Sequence, residues 1–256
     1  MTLPQVGKVW GMSGMSGVME KLAGVRYSRS GRLLDVYRPL GRPAGTVLLW
    51  HGRGKEERDV LGPLAGRAAE HGLLVLVPDW RCDVPDSGWS QLRESVDFLR
   101  SHAGGWGGDP DRAVLAGWSL GARAAMATVL RPARDGWRPG AVVAIAGNYL
   151  TSSDPMMGPA AVEDIAGTEQ TPVPLWLHHG SLDAVVGVRS AREFAPVARA
   201  HGWPVRYHES PTDHAGVVLA EYDRGLGRCR EADGGHALAA GRLTAEMMAG
   251  AAAEIR

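Results

Sequence analysis

The sequence predicts an α/β fold with a mostly parallel, doubly wound sheet and helices on both of its faces. Short apolar runs alternate along the chain with longer segments of helical spacing. This alternation is expected where parallel strands are joined by crossover helices. The chain has 256 residues, 45% of them hydrophobic. That length and composition predict one large domain with a sizeable core.

The apolar runs are interpreted as strands, at 33–37, 47–51, 73–78, 113–118, 141–146, 175–179 and 205–208. The helical candidates are 58–71, 90–101, 120–130, 189–201 and an alanine-rich last helix at 237–255. Gly72 and Gly202 follow two of these helices, where a left-handed C-terminal residue is favoured. The first two strands are joined by too few residues for a crossover helix. We therefore expect them to form an antiparallel hairpin.

The N-terminal segment is rich in Gly, Ser and Met and has no clear periodicity. We interpret residues 1–24 as an arm and residues 25–256 as the folded domain. The N-terminal segment has no uninterrupted apolar stretch after a basic start, which a signal peptide would need. The sequence contains no run of 18 consecutive apolar residues. These features predict a cytoplasmic protein with no membrane partner.

Charge and cysteine content narrow the function classes. The 28 basic residues balance 28 acidic ones, which gives no electrostatic reason to expect a nucleic-acid partner. Cys82 and Cys229 are too few for a disulfide framework and belong to no metal-binding pattern. His178 and His179 are adjacent on a strand, so their rings should point to opposite faces of the sheet. We expect no metal and no cofactor.

A nucleophile motif stands in the middle of the chain. Gly117-Trp118-Ser119-Leu120-Gly121 follows an apolar run directly and opens a helical segment. A strand that turns sharply into a helix can hold a serine hydroxyl clear of the backbone, and the flanking glycines relieve crowding at such a turn. The alternative interpretation is a tight strand-to-helix turn without a catalytic role. The context favours Ser119 as a nucleophile.

A serine nucleophile needs an imidazole base and a carboxylate that orients it. Asp183 follows the strand at 175–179, and His214 ends the loop after the strand at 205–208. Functional side chains collect at this edge of a parallel sheet. Asp183 could instead cap the following helix, and Asp154 or Glu163 could supply the acid, but neither of these two follows an obvious strand. Six other histidines are assigned to strands or helix ends: His71, His178, His179, His201, His208 and His236.

Acyl transfer also needs backbone donors for the developing oxyanion. The loop His51-Gly52-Arg53-Gly54 follows the strand at 47–51, and its glycines permit close approach to a ligand. We assign the two donors to the N–H groups of Arg53 and Leu120. An ordinary glycine-rich turn is the alternative interpretation.

These motifs resemble the esterase/lipase branch of the α/β-hydrolase superfamily from about Val25 onward. The segment 34–39 is similar to the early strand of small carboxylesterases, 108–112 to the lead-in of the nucleophile strand, and 47–54 to the oxyanion strand and loop. The sequence departs from hormone-sensitive-lipase-like esterases at Trp118, where they carry an acidic residue, and at Arg53, where their loop reads His-Gly-Gly-Gly.

The resemblance implies a serine hydrolase that cleaves the carboxylic ester of a small or medium acyl substrate, as a monomer or homodimer. The segment 148–174 is too short for a large lid. It contains Tyr149, Met156 and Met157, which with Trp118 are candidates for lining an acyl pocket, although Met is equally suited to plain packing. Thioesterases, amidases, acyltransferases and a non-hydrolytic lyase could use the same scaffold. A non-catalytic binding module is the remaining alternative.

Overall fold

Eight strands form one sheet in the computed structural model, which describes residues 18–132, 136–152 and 157–255. The strands are β1 (Met19–Arg26), β2 (Leu33–Pro39), β3 (Gly45–Trp50), β4 (Leu73–Pro78), β5 (Ala113–Trp118), β6 (Ala141–Ile145), β7 (Leu175–Gly180) and β8 (Val205–Ser210). Their order across the sheet is β1-β2-β4-β3-β5-β6-β7-β8. All neighbours from β4 to β8 are parallel. The predicted fold class is confirmed.

Six α-helices lie between and after these strands in the described ranges. They are α1 (Gly62–Glu70), α2 (Trp89–His102), α3 (Leu120–Leu130), α4 (Ala161–Gly167), α5 (Arg189–Ala200) and α6 (Gly235–Glu254). Buried side chains of α1 and α6 join one hydrophobic cluster, and those of α2, α3, α4 and α5 join the other. Along β3, Val47 and Leu49 belong to the first cluster and Leu48 and Trp50 to the second. The sheet therefore has a core on each face, as alternating side chains require.

The start of the sheet differs from the sequence prediction in two respects. β1 begins at Met19 and pairs antiparallel with β2, so residues 19–24 belong to the sheet and not to an arm. Residues 1–17 lie outside the described residues. The expected hairpin between β2 and β3 is also wrong, because β4 lies between them and pairs with both. The antiparallel hairpin that opens the sheet is β1–β2.

Besides β1, one α-helix and one β-hairpin of the described residues were not predicted. α4 lies within 148–174 and contacts α3 and α5, so it is part of the helical layer on that face. A small antiparallel hairpin, β9 (Ala220–Asp223) and β10 (Arg228–Glu231), stands between His214 and α6. Arg228 in β10 forms an ion pair with Asp59, which ties this hairpin to the segment after β3.

No helix within the described parts of the chain is both long enough and apolar enough to cross a membrane.

Candidate active site

The residue between β5 and α3 has a strained backbone. Ser119 lies at φ +56° and ψ −116°, in the left-handed half of φ space that a side-chain-bearing residue rarely adopts. Its N–H donates to the carbonyl oxygen of Ile145 at 2.8 Å, and its own carbonyl oxygen accepts from Ala122 and Arg123 at the start of α3. The sheet thus fixes one side of the turn and the helix the other. Such strain persists only where surrounding contacts enforce it.

The two glycines around Ser119 are required by close packing. A Cβ on Gly117 would lie 2.7 Å from the backbone nitrogen of Ala122. A Cβ on Gly121 would lie 2.5 Å from the carbonyl oxygen of His51 and would also overlap that of Trp50. Real Cβ atoms essentially never come this close to backbone atoms. The first turn of α3 therefore rests directly on the end of β3.

The structure brings His214 and Asp183 together. His214 Nδ1 and Asp183 Oδ2 are 2.7 Å apart, although 31 residues separate them in the chain. Since a carboxylate only accepts hydrogen bonds, Nδ1 carries the proton and the neutral ring has its lone pair on Nε2. This is the tautomer that a general base needs.

Asp183 is buried, and three further donors hold its carboxylate. Oδ1 accepts from the N–H groups of Val185 and Val186, both at 2.8 Å. His179 Nε2 lies 3.3 Å from Oδ2 and 2.7 Å from the carbonyl oxygen of Val186. Burial by itself would raise the pKa of Asp183, but the hydrogen bonds from His179 and His214 outweigh it and hold the pKa well below its usual range. Asp183 is therefore an ionised carboxylate.

Trp118 links the nucleophile turn to the histidine loop. Its indole Nε1 donates to the carbonyl oxygen of His214 at 2.9 Å, and the two rings lie 5.2 Å apart at their centroids. Ser119, the next residue, therefore lies on the same rim of the sheet as His214 and Asp183. Among the described contacts Ser119 Oγ makes no hydrogen bond to His214. Catalytic hydrogen bonds are often long in structures without substrate.

The loop after β3 approaches Ser119 closely. A Cβ on Gly52 would lie 3.2 Å from Ser119 Cβ, so glycine leaves open the space above the nucleophile. His51 is fully buried and its Nε2 accepts from the N–H of Trp80 at 3.2 Å, while Nδ1 contacts the Gly52 carbonyl oxygen at 2.9 Å. Because C=O and N–H point in opposite directions across a trans peptide, the N–H of Arg53 points away from this buried ring. Leu120 is the first residue of α3, so its N–H has no partner within the helix.

Comparisons with solved structures agree with this architecture. Esterase B from Lactobacillus rhamnosis, inhibited by a tributyrin phosphonate, superposes with a TM-score of 0.71 and 15% identity over 93% of this chain and 87% of its own. A Pyrobaculum calidifontis esterase gives 0.69 and 15% over 93% and 86%. A dienelactone hydrolase-like protein from Klebsiella pneumoniae gives 0.68 and 15% over 92% and 99%. No family model and no curated protein matches the sequence. The chain has the α/β-hydrolase fold.

Within this α/β-hydrolase fold, a second histidine holds the loop that carries His214. His178 is fully buried, with Nε2 2.8 Å from Ser210 Oγ and Nδ1 2.7 Å from Thr244 Oγ1. Thr244 Oγ1 donates to the carbonyl oxygen of Val217 at 2.5 Å. The chain of hydrogen bonds is satisfied when His178 is neutral, protonated on Nδ1 and accepting from Ser210. It ties Ser210, before His214, to Val217, after it.

Sequence reasoning assigned His178 only a structural place in a core strand and missed this connection. Burial lowers the pKa of His178 to about 4, and the nearby His208 and His179 contribute in the same direction. The rings of His178 and His179 contact α6 and the loop after β7 respectively, so they serve different sites. Among the described residues, no group of three or more His, Cys, Asp or Glu side chains is arranged to hold a metal ion.

The predicted pocket residues differ in their surroundings. Trp118 is nearly buried beside His214. Tyr149 and Met157 are fully buried in the core cluster, where Tyr149 stacks on Phe194 with ring centroids 4.8 Å apart. Neither presents surface to a substrate in this structure. Met156 lies outside the described residues.

Of the alternative acids, Asp154 also lies outside the described residues. Glu163 lies in the first turn of α4. The carboxylate that accepts a hydrogen bond from His214 belongs to Asp183.

Proposed function

We propose that this chain is a serine hydrolase that cleaves a carboxylic ester through an acyl-Ser119 intermediate, with His214 as general base and Asp183 as the acid that orients it. The observation that carries the proposal is the His214–Asp183 hydrogen bond of 2.7 Å beside the strained Ser119 turn. The fold is shared with esterases at 15% identity, which supports acyl chemistry by analogy only.

In the proposed reaction Ser119 Oγ attacks the ester carbonyl carbon while His214 Nε2 takes the hydroxyl proton. The imidazolium that forms is stabilised by the Asp183 carboxylate through Nδ1. The N–H groups of Leu120 and Arg53 donate to the oxyanion. His214 then returns its proton to the leaving alcohol, and water repeats the sequence to release the acid and regenerate Ser119.

An activity-based probe tests this assignment directly. A fluorophosphonate should label Ser119, as located by peptide mass spectrometry, and Ser119→Ala should abolish both labelling and turnover of short p-nitrophenyl esters. Ser101→Ala is the matched control, because Ser101 lies exposed on α2 and donates only to the carbonyl of Asp97. Labelling at another residue, or undiminished turnover by Ser119→Ala, would reject the proposal.

The acyl bond that is cleaved is tested separately. Ester, thioester and amide derivatives of one acyl group should be compared at equal concentration, and the proposal expects the ester to be cleaved fastest. Faster cleavage of the thioester would assign the same three residues to a thioesterase. Transfer of the acyl group to an added alcohol or amine in place of water would assign them to an acyltransferase.

A further inference from the structure

The carboxylate of Glu57 lies close to the turn that carries Ser119. A Cβ on Gly52 would lie 3.2 Å from Ser119 Cβ and 3.4 Å from Glu57 Oε2, so the nucleophile and the carboxylate flank the same small space. Glu57 Oε2 also accepts from the N–H of Gly54 at 3.2 Å, which folds the side chain back over the loop. The carboxylate is therefore held beside the reacting centre and does not extend into solvent.

The charge of this carboxylate is not offset by a neighbouring cation. In the described part of the chain, no lysine or arginine nitrogen lies within 4 Å of Glu57. His51 Nδ1 is 3.7 Å away, but His51 Nε2 accepts from Trp80, which makes the ring neutral. Arg58 pairs with Asp35 and Glu56. The side chain of Glu57 is only 21% exposed, so water screens its charge incompletely.

The thiol of Cys229 also interacts with the charge of Glu57. Cys229 lies on β10 of the hairpin that Arg228 ties to Asp59. Burial, together with the charges of Glu57 and Asp213, raises the pKa of its thiol to about 11. Burial is the largest of these causes, and the positive charge of Arg228 acts in the opposite direction.

Negative charge at this place opposes the proposed reaction of a neutral ester. An oxyanion forms in the transition state, and a nearby carboxylate raises its energy. A cationic group on the substrate would reverse the effect, because it would be attracted by the carboxylate and would lie beside the developing negative charge.

We propose that Glu57 selects esters whose acyl part carries an ammonium group two bonds from the scissile carbonyl carbon, as an α-amino acid ester does. This inference rests on the proposed function and names the substrate class of the same site. Glu57 contacts the ammonium and takes no part in bond making. Ser119, His214 and Asp183 carry out the acyl transfer as described above.

A pair of isosteric substrates tests the selection. Phenyl L-alaninate and phenyl 2-methylpropanoate differ by an ammonium group in place of a methyl group. Measurements at about pH 6.5 keep the amine largely protonated. The quantity of interest is the ratio of kcat/KM for the alaninate to kcat/KM for the methylpropanoate, in wild type and in Glu57→Gln. Dividing the two ratios removes the difference in intrinsic reactivity of the esters.

We expect Glu57→Gln to lower this ratio about tenfold, the size of effect that one partly exposed charge pair provides. Glutamine retains a carbonyl oxygen for the N–H of Gly54, so the loop keeps its support. Glu56→Gln is the matched control, because Glu56 is an adjacent exposed carboxylate that bonds Arg58 and is not part of the site. Its ratio should equal that of wild type.

The outcomes separate this inference from the function on which it depends. Turnover of the methylpropanoate with an unchanged ratio in Glu57→Gln would overturn the selection alone. A preference for the monophenyl ester of malonic acid, which carries a carboxylate, would also overturn it. If the wild-type protein turned over neither phenyl ester, both proposals would be overturned.

Discussion

Replacing Gly121 with alanine tests how the fold positions the candidate site. Gly121 is in the first turn of α3, where alanine normally stabilises a helix by about 1 kcal/mol relative to glycine. Here the new Cβ would lie 2.5 Å from the carbonyl oxygen of His51 and overlap that of Trp50. Ordinary contact begins near 3.4 Å, so helix and strand must separate by almost 1 Å. Forced displacements of this kind cost about 1–3 kcal/mol in a packed core.

The helix-forming gain offsets part of this cost, so the net expectation is a loss of about 1 kcal/mol of unfolding free energy. This corresponds to a fall in Tm of about 2–4 °C for a chain of this size. The displaced backbone carries the loop with Gly52 and the N–H of Arg53. A misplacement near 1 Å at a reacting centre lowers rates by about 100-fold. Differential scanning calorimetry and kcat/KM for a p-nitrophenyl ester measure the two effects.

Gly167→Ala is the control for this substitution. Gly167 is the last residue of α4, and a Cβ there would meet nothing within 4 Å. We expect its Tm to equal or slightly exceed that of wild type, with unchanged activity. A Gly121→Ala protein with wild-type Tm and wild-type activity would refute the close approach of α3 to β3.

Three further predictions follow from the buried groups. Asp183→Asn removes the carboxylate that holds His214 in its basic tautomer, so kcat for an ester should fall about 10⁴-fold while circular dichroism is unchanged; activity within tenfold of wild type would contradict this role. The folded pKa of His178 is about 4, below its usual 6.5, so the unfolded chain binds the extra proton between these values. Stability should therefore fall as pH falls from 6.5 to 4, by roughly 3 kcal/mol in urea unfolding, and His178→Gln should flatten this dependence. Because burial and the charge of Glu57 raise the pKa of Cys229 to about 11, iodoacetamide at about pH 8 should alkylate it on the order of 100-fold more slowly in the folded than in the urea-unfolded chain, and equal rates by mass spectrometry would be inconsistent with that pKa.

The buried parts of the fold could be predicted from the sequence because their residues obey one constraint. The observed bounds of β4, β5 and α3 coincide with the predicted ones. The two strands are fully buried and apolar, and α3 is buried almost throughout and has only Arg123 and Thr128 as polar residues. The turn between β5 and α3 adds two glycines that only a close approach explains. Burial and backbone sterics thus determined these elements locally.

The exposed strands could not be predicted because they lack that constraint. β1 is an edge strand with no buried residue, and β9 and β10 are four-residue strands with mainly polar side chains. Their pairing is decided by neighbours distant in the chain. The position of β4 between β2 and β3 is likewise a tertiary choice, since loop length excludes a crossover helix but does not name the partner strand.

The candidate site divides in the same way. Ser119, Asp183 and His214 follow the ends of strands, so topology predicted that they lie on one rim. Three other features of the site depend on the directions of side chains. They are the second imidazole beside Asp183, the hydrogen-bond chain from Ser210 through His178 to Thr244, and the carboxylate of Glu57 beside Gly52. Residue type and spacing carry no information on such directions.

Features that oppose stability converge at this rim. Ser119 keeps a φ of +56°, which costs about 1–3 kcal/mol for a residue with a side chain. Asp183 is a buried carboxylate, and Glu57 is a partly buried one without a cationic partner among the described residues. Selection for stability alone would replace such groups, since glycine at 119 and apolar residues at buried sites are easily reached. Their coincidence at one rim supports the proposed active site by an argument that does not depend on the sequence motif.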